Sequence, residues 1–339
     1  MRNLHKQQGL ALILVLMIFA ITSVLAIAMV ERQSSDMQRS GTMLTVQQAR
    51  AYTLAAEDAV KTGLFLSWQQ NKETVHNKED WAQERRFPLS PGMAYIRIRD
   101  AQGRFNLNTL SPQAANHDRQ QQRFTNLLNL LGIDPIISNN LSNWMNKTSQ
   151  VDDFYQRKEL PYRAAYQNCK HTSELLLVDG MDLEVYAQLE PYIACLPITA
   201  SLNVNTASPM VLAALDASLT LSQGEAMAGA RGDKGFATMD EFWALAEIQP
   251  FVTIDAENKE TQPWVQTDFS VNSEYFEAFI RVDLAERIAS SEVLIKREAG
   301  SGVLTTLYRD YSRREARVEP APQQQTEQNQ LQDTAEWKQ

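Results

Sequence analysis

Leu10-Ala-Leu-Ile-Leu-Val-Leu-Met-Ile-Phe-Ala-Ile-Thr-Ser-Val-Leu-Ala-Ile-Ala-Met-Val30 contains no charged side chain and follows directly on a short basic leader ending in Gly9. As a helix rising ~1.5 Å per residue the run spans ~32 Å, enough to cross the hydrocarbon core of a bilayer. Arg2 and Lys6 precede it. The bias of basic residues therefore predicts a leader in the cytoplasm and everything after Glu31 on the far side. The chain reads as one periplasm-facing region on a single anchor.

A secretory signal is cut after its apolar stretch, behind small residues. Here the small residue comes first, in Gln7-Gln8-Gly9-Leu10-Ala11-Leu12. Cleavage between Gly9 and Leu10 removes only the charged tip and leaves the membrane helix on the mature protein. This order resembles the type IV prepilin class, whose leaders are removed by prepilin peptidase; an uncleaved signal anchor is the alternative. The resemblance implies glutamate at the fifth mature position, which here is Leu14. A carboxylate in hydrocarbon is costly without a counter-charge, and in the family that charge is the amino terminus of a neighbouring subunit. Leu14 cannot make the pairing, so the chain is expected outside the repeating positions of a filament shaft.

The chain has 339 residues, 44% of them apolar, which suffices for a sizeable core in one or two domains. Its net charge of −9 disfavours nucleic acid as a partner unless basic residues are segregated into a patch. Its two cysteines, Cys169 and Cys195, both fall in the exported part. An oxidising compartment allows them to pair; two buried free thiols are the alternative.

Beyond the leader (1–9) and the membrane span (10–30), the helical pattern continues without proline through 31–70. Ala49, Tyr52, Ala56, Ala59 and Gly63 form one stripe along it. Residues 71–110 are expected to begin a sheet. Ala94, Ile96 and Ile98 alternate with Tyr95, Arg97 and Arg99, Asp100 to Gly103 makes a turn, and Arg104 to Leu107 returns as a hairpin. Alternation resumes in 263–312, where Phe276, Ala278, Ile280, Val282 and Leu284 share a face. Between them, 111–262 reads as an inserted all-α domain. Asp134-Pro135 and Ser208-Pro209 mark helix starts, while Ser222 with Glu225 and Thr238 with Glu241 fit capping boxes. The glutamine-rich tail 313–339 is expected to be disordered. The fold class is α+β: a pilin-like long helix on an antiparallel sheet, interrupted by the helical insertion.

Several strings carry a narrower resemblance: the Gly9-Leu10 junction with Leu14, Asp100 to Asn108, Leu130 to Asp134, Leu160 to Ala164, Ser173 to Val178 before Gly180-Met181, Leu196-Pro197, and Leu202 to Ala207. On these the chain is identified as a member of the K-type minor pseudopilin family of type II secretion. The family implies a non-enzymatic structural subunit at the pseudopilus tip, joined to minor pseudopilins I and J, with H and the major pseudopilin as further partners. It also implies a bacterial inner-membrane location, processing by prepilin peptidase and contact with the assembly platform. Finally, it implies calcium near Trp144 to Asp153. There Asn146 and Lys147 stand where acids are expected, and only Asp152 and Asp153 lie close together. Calcium takes six to eight oxygens, so capping or solvation is the favoured role for Asn146, Asp152 and Asp153, with calcium the alternative, and no other cofactor is assigned.

The competing reading is a membrane-anchored DNA receptor. Leu176 to Met181 and Asn203 to Ala207 resemble helix-hairpin-helix units, but Asp179 and Asp182 flank Gly180, and Asp233 lies between Arg231 and Lys234. These acids repel phosphate, so a packing role is favoured and no nucleic acid is expected. The four histidines, His5, His76, His117 and His171, have no metal-type spacing, and no nucleophile motif is present. No catalytic residue is assigned.

Overall fold

The computed structural model describes residues 5–252, 264–285 and 287–312, with side chains from residue 11 onward. The 313–339 tail expected to be disordered lies outside the described residues, as do the last residues of the 111–262 insertion. The spine is α1 (His5–Gln70), a single helix ~99 Å long at ~1.5 Å per residue. Its C-terminal half packs on one face of a five-stranded antiparallel sheet ordered β1 (Arg85–Leu89), β2 (Gly92–Asp100), β7 (Tyr275–Leu284), β8 (Arg287–Arg297), β9 (Leu304–Asp310). The fold is the α+β arrangement of a long helix on a sheet with a helical insertion. Alternation puts Ala94, Ile96, Ile98, Phe276, Ala278, Ile280 and Val282 on the α1 side, in one core with Ala49, Ala56, Val60 and Leu64.

Two details of this frame depart from expectation. The stripe on α1 is rotated: Ala49 and Ala56 are buried, but the row then runs through Val60 and Leu64, while Ala59 is exposed and Gly63 half-buried. The reason is Glu57, which is 2% exposed. It accepts from Arg309 Nε at 2.6 Å, Arg309 Nη2 at 2.9 Å and Thr306 Oγ1 at 2.6 Å on β9, and pairs with Lys61 one turn along α1. The helix turns to bring this acid to β9. The hairpin is also different. β2 pairs with β1 before it, through Ser90-Pro91, and not with Arg104 to Leu107 after it. Pro88 is tolerated because β1 is an edge strand. The chain leaves the sheet at Asp100, whose buried carboxylate accepts from Gln102 N, Asn203 Nδ2, Thr206 Oγ1 and Ser273 Oγ.

The insertion holds two cores, one mainly from residues 105–195 and one from 204–269. The first unit opens with β3 (Phe105–Asn106) and carries α2 (His117–Leu130), α3 (Ile136–Met145), α4 (Asp152–Gln156) and α5 (Leu183–Leu189). It closes with β4 (Ile193–Ala194), parallel to β3. The second opens with β5 (Leu202–Asn203) and carries α6 (Pro209–Ala213), α7 (Leu221–Ala230), α8 (Met239–Trp243) and α9 (Gln249–Val252). It closes with β6 (Phe269–Ser270), parallel to β5. Ser208 caps α6 through Val211 N, and Asp134 accepts from Ile136 N. The box on α7 is Thr220 with Gln223, two residues before the expected Ser222 and Glu225. Thr238 makes no side-chain cap on α8; Glu241 reaches back to Ala237 N instead.

The insertion meets the sheet on the face opposite α1. Tyr275 and Leu294 pack with Ala101, Ala194 and Leu196 there. Beside them Glu277 pairs with Arg104 at 2.8 Å and lies 3.6 Å from Arg99, while Glu292 faces His171 Nε2 at 3.4 Å. Burial works to raise the Glu277 carboxyl, but Arg104 and Arg99 hold it below the usual carboxylate range.

Candidate assembly surface

The surface that stands out is α1 itself. Its segment from Ala11 has a mean hydropathy of 2.9 in its most apolar window, with no part of that window buried by the rest of the chain, so it is long and apolar enough to cross a membrane. Leu14 is 53% exposed on it. The Gly9–Leu10 junction lies within the helix, and its side chains fall outside those described. Beyond the span, Met37, Met43, Leu44, Leu54 and Leu66 remain exposed along α1. Between α1 and β1 runs a groove of about 460 Å³ walled by Ala59, Gly63, Leu66 and Phe87 and floored by Ile96 and Ile98. α1 is tied to the β8–β9 turn near its C-terminal end. Trp68 Nε1 donates to Ala299 O at 3.0 Å, and Gly302, at φ +70°, passes so close that a Cβ would stand 2.5 Å from the Trp68 ring.

Cys169 and Cys195 are bonded to each other with Cα atoms 5.6 Å apart, closing a loop with a sequence separation of 26. Two of the remaining candidate residues, Asn146 and Asp152, are engaged internally. Asn146 Oδ1 accepts from Thr148 N and Oγ1; Asp152 Oδ1 accepts from Ala164 N; Asp153 is exposed in the first turn of α4. Among the described residues no three His, Cys, Asp or Glu side chains are grouped to share a metal ion. Asn146 and Asp152 each have one oxygen engaged within the fold, and the few carboxylates here fall short of the six to eight oxygens calcium takes. In the hairpin resembling a nucleic-acid unit, Gly180 packs against Ile137, Asp179 pairs with Lys158 at 3.0 Å, and Asp182 caps α5. Arg231 donates to Ala207 O at 2.5 Å, and burial pushes its guanidinium down to about 10.

One organising device was not anticipated from sequence: Asn106-Leu-Asn-Thr-Leu-Ser-Pro112 and Asn203-Val-Asn-Thr-Ala-Ser-Pro209 repeat the pattern Asn-x-Asn-Thr-x-Ser-Pro. In each copy the first asparagine Oδ1 accepts the backbone N–H of the second, at 3.2 and 2.9 Å. The second asparagine then grips a distant backbone. Asn108 accepts from Cys169 N and donates to Cys169 O and Leu196 O, whereas Asn205 accepts from Phe236 N and donates to Phe236 O and Val271 O. The repeated string was the available signal.

A helix long enough to span a membrane, with a sheet packed on its outer half, defines a pilin-like fold. Family models described as type II secretion system protein K match residues 103–198 and 202–261, close to the two units of the insertion. The type II secretion system protein K of Klebsiella pneumoniae is 32% identical over 328 residues, 91% of this chain and 98% of that protein. That of Pseudomonas aeruginosa is 33% identical over 258 residues, 70% and 76% respectively. A chain in the crystal structure of the GspK–GspI–GspJ complex from the enterotoxigenic Escherichia coli type 2 secretion system is similar at a TM-score of 0.69 and 27% identity, covering 81% of this chain and 100% of that one. This chain belongs to the type II secretion system protein K family, a family of non-enzymatic pseudopilins.

Proposed function

We propose that this chain stands at the tip of the type II secretion pseudopilus, joins I-type and J-type minor pseudopilins there, and initiates the filament that serves protein export across the outer membrane. Leu14 carries the reading. An apolar side chain where the shaft needs an intramembrane acid removes the attraction that would draw a further subunit above it. The bulk of the insertion on the sheet supports the same position, since it would obstruct close stacking in a shaft. The likeness to a chain crystallised with GspI and GspJ supports those two partners. H-type and major pseudopilins follow below, reached through the exposed apolar face of α1.

In this reading prepilin peptidase cuts between Gly9 and Leu10, the mature chain is a single-pass protein of the inner membrane with its folded part in the periplasm, and the assembly platform receives it there. The test mixes the purified protein in detergent with its I-type and J-type partners and measures the mass by light scattering. A stable assembly of one copy of each is expected. A chain that remains alone in their presence overturns the proposal.

A further inference from the structure

Among the described residues, the insertion meets the sheet face turned away from α1 at the end carrying Tyr275, Glu277 and Leu294. Below that seam, outward positions of β1, β2 and β7 place arginines and aromatic rings side by side. In register, Arg86 and Arg281 flank Tyr95, and Arg97 stands opposite Phe279. The guanidinium carbons of Arg99 and Arg97 lie 4.4 and 5.6 Å from the Phe279 ring centre, and those of Arg86 and Arg281 lie 5.6 and 6.0 Å from that of Tyr95. This places four arginines and two aromatic rings on one face, with carboxylates at its rim.

The charges on it are not equally satisfied. Arg86 pairs with Glu84 at 3.0 Å, Arg281 with Asp283 at 2.8 Å, and Arg99 lies 3.6 Å from both Glu190 and Glu277. Arg97, half-buried at the centre, has no ion-pair partner among the described residues, and its Nε is sequestered without an acceptor. Burial, and then the charge of Arg99, push its guanidinium below its ordinary value, against the pull of Glu84, Glu190 and Glu277, none of which pairs with it directly. Arg86, Arg281 and Arg99 each have a carboxylate oxygen within 3.6 Å, and Arg97 has none that near among the described residues. Stacking on Phe279 instead restricts the side chain and leaves its terminal nitrogens for an external acceptor.

We propose that this face docks an acidic segment of a partner protein, with a carboxylate received by Arg97 between Tyr95 and Phe279. Charge complementarity selects the occupant. One arginine without a directly paired acid suits one or two carboxylates, held as a forked pair. The flanking Glu84 and Asp283 would repel the next phosphates of a nucleic-acid strand, whereas a peptide can place apolar side chains beside its acid and cover the two rings. The face lies opposite the α1 surface assigned to pseudopilin partners, so the two contacts can be made together.

The experiment titrates the full chain in detergent, at low salt, against fluorescein-labelled Gly-Phe-Glu-Phe-Gly and the same peptide with Gln in place of Glu, read by anisotropy, with oligothymidylate as competitor. The Glu peptide is expected to bind at least about tenfold more tightly than the Gln peptide. Arg97→Gln erases this preference with an unchanged melting temperature, and Arg97→Lys, which keeps the charge but loses the fork, retains part of it. Added salt must erase the preference in the native protein, a reading that depends on no variant. Equal binding of the two peptides, a preference that survives Arg97→Gln, or an oligothymidylate that outcompetes the Glu peptide overturns the proposal.

Discussion

The two units of the insertion begin with the same seven-residue pattern and solve the same problem by different means. In each, an asparagine side chain must hold the backbone of a remote crossing segment against a short parallel strand pair. In the first unit Asn108 grips Cys169, and a disulfide from that residue to Cys195 fastens the segment a second time. In the second, Asn205 grips Phe236 in the same way, and no covalent link follows. Phe236 instead enters an aromatic core, 5.8 Å from Phe242, which meets Trp243 edge-on and Phe269 at a tilt, and Phe269 stacks on Trp264. The asparagine sets the geometry in both; what backs it is a covalent bond in one and buried rings in the other. Stability of the first unit should therefore depend on redox state, and that of the second should not.

The largest effect should come from breaking the grip itself. Asn108 and Asn205 are 3% and 2% exposed, so alanine leaves several buried backbone groups without partners. At about 1–3 kcal/mol per orphaned group, Asn205→Ala should cost on the order of 4 kcal/mol in urea unfolding of the full chain in detergent. Asn108→Ala should cost clearly less under oxidising conditions and approach Asn205→Ala after reduction. Equal losses in both redox states would break the comparison. The next effect is removal of the staple. Replacing both cysteines by alanine releases the loop, worth about 3–4 kcal/mol by chain entropy. Reductant should produce the same loss in the native protein and none in the double variant; a double variant as stable as the oxidised native chain would mean that the asparagine alone suffices.

Periodic features were legible in sequence and the polar devices were not. The charge-free span from Leu10, the alternation from Phe276 to Leu284 and the Ser208 cap were readable because spacing and side-chain chemistry agree there. The hairpin was misread because Pro88 and Pro91 argue against a strand, and only the position of β1 at the sheet edge makes proline acceptable. The α1 stripe was misread because its true face includes Thr53 and Glu57, polar residues whose burial depends on β9, about 250 positions away. Asn108 and Asn205 look like solvated loop residues until the chain returns to meet them. Local pattern records which face of an element is apolar; it does not record which distant backbone a buried amide will hold.

The junction of the two units gives a smaller and sharper test. Gly103, just before the first pattern, approaches the second so closely that a Cβ would stand 2.7 Å from Thr206 Oγ1 and 2.8 Å from Thr206 O. Gly103→Ala should therefore cost about 2 kcal/mol, as overpacking does. Because Thr206 also donates to Asp100 at 2.5 Å, the loss should appear at the seam between sheet and insertion, as faster amide exchange at Thr206 and Ala207. Exchange that rises instead around Cys169 would place the strain in the first unit.

The smallest effect separates the insertion from the frame that carries it, through pH. Neither asparagine grip has a titrating group, whereas α1 is tied to β9 by Glu57. Burial works to raise that carboxyl, but hydrogen bonds from Arg309, Lys61 and Thr306 prevail and lower it from 4.5 to about 2. A folded-state value below the unfolded one means the contribution is complete above pH 4.5 and disappears as pH falls through about 2. Arg309 is partly exposed, so solvent screening reduces the contribution to about 1–2 kcal/mol. Asp100 titrates with the opposite sign, because burial raises its carboxyl despite four hydrogen bonds. The informative quantity is therefore the difference in unfolding free energy between the native chain and Glu57→Gln. That difference should be constant above pH 4.5 and shrink steadily below it, while the loss caused by Asn205→Ala stays level across the same range. A Glu57→Gln difference that does not shrink in acid would mean that shape, and not charge, holds α1 to β9.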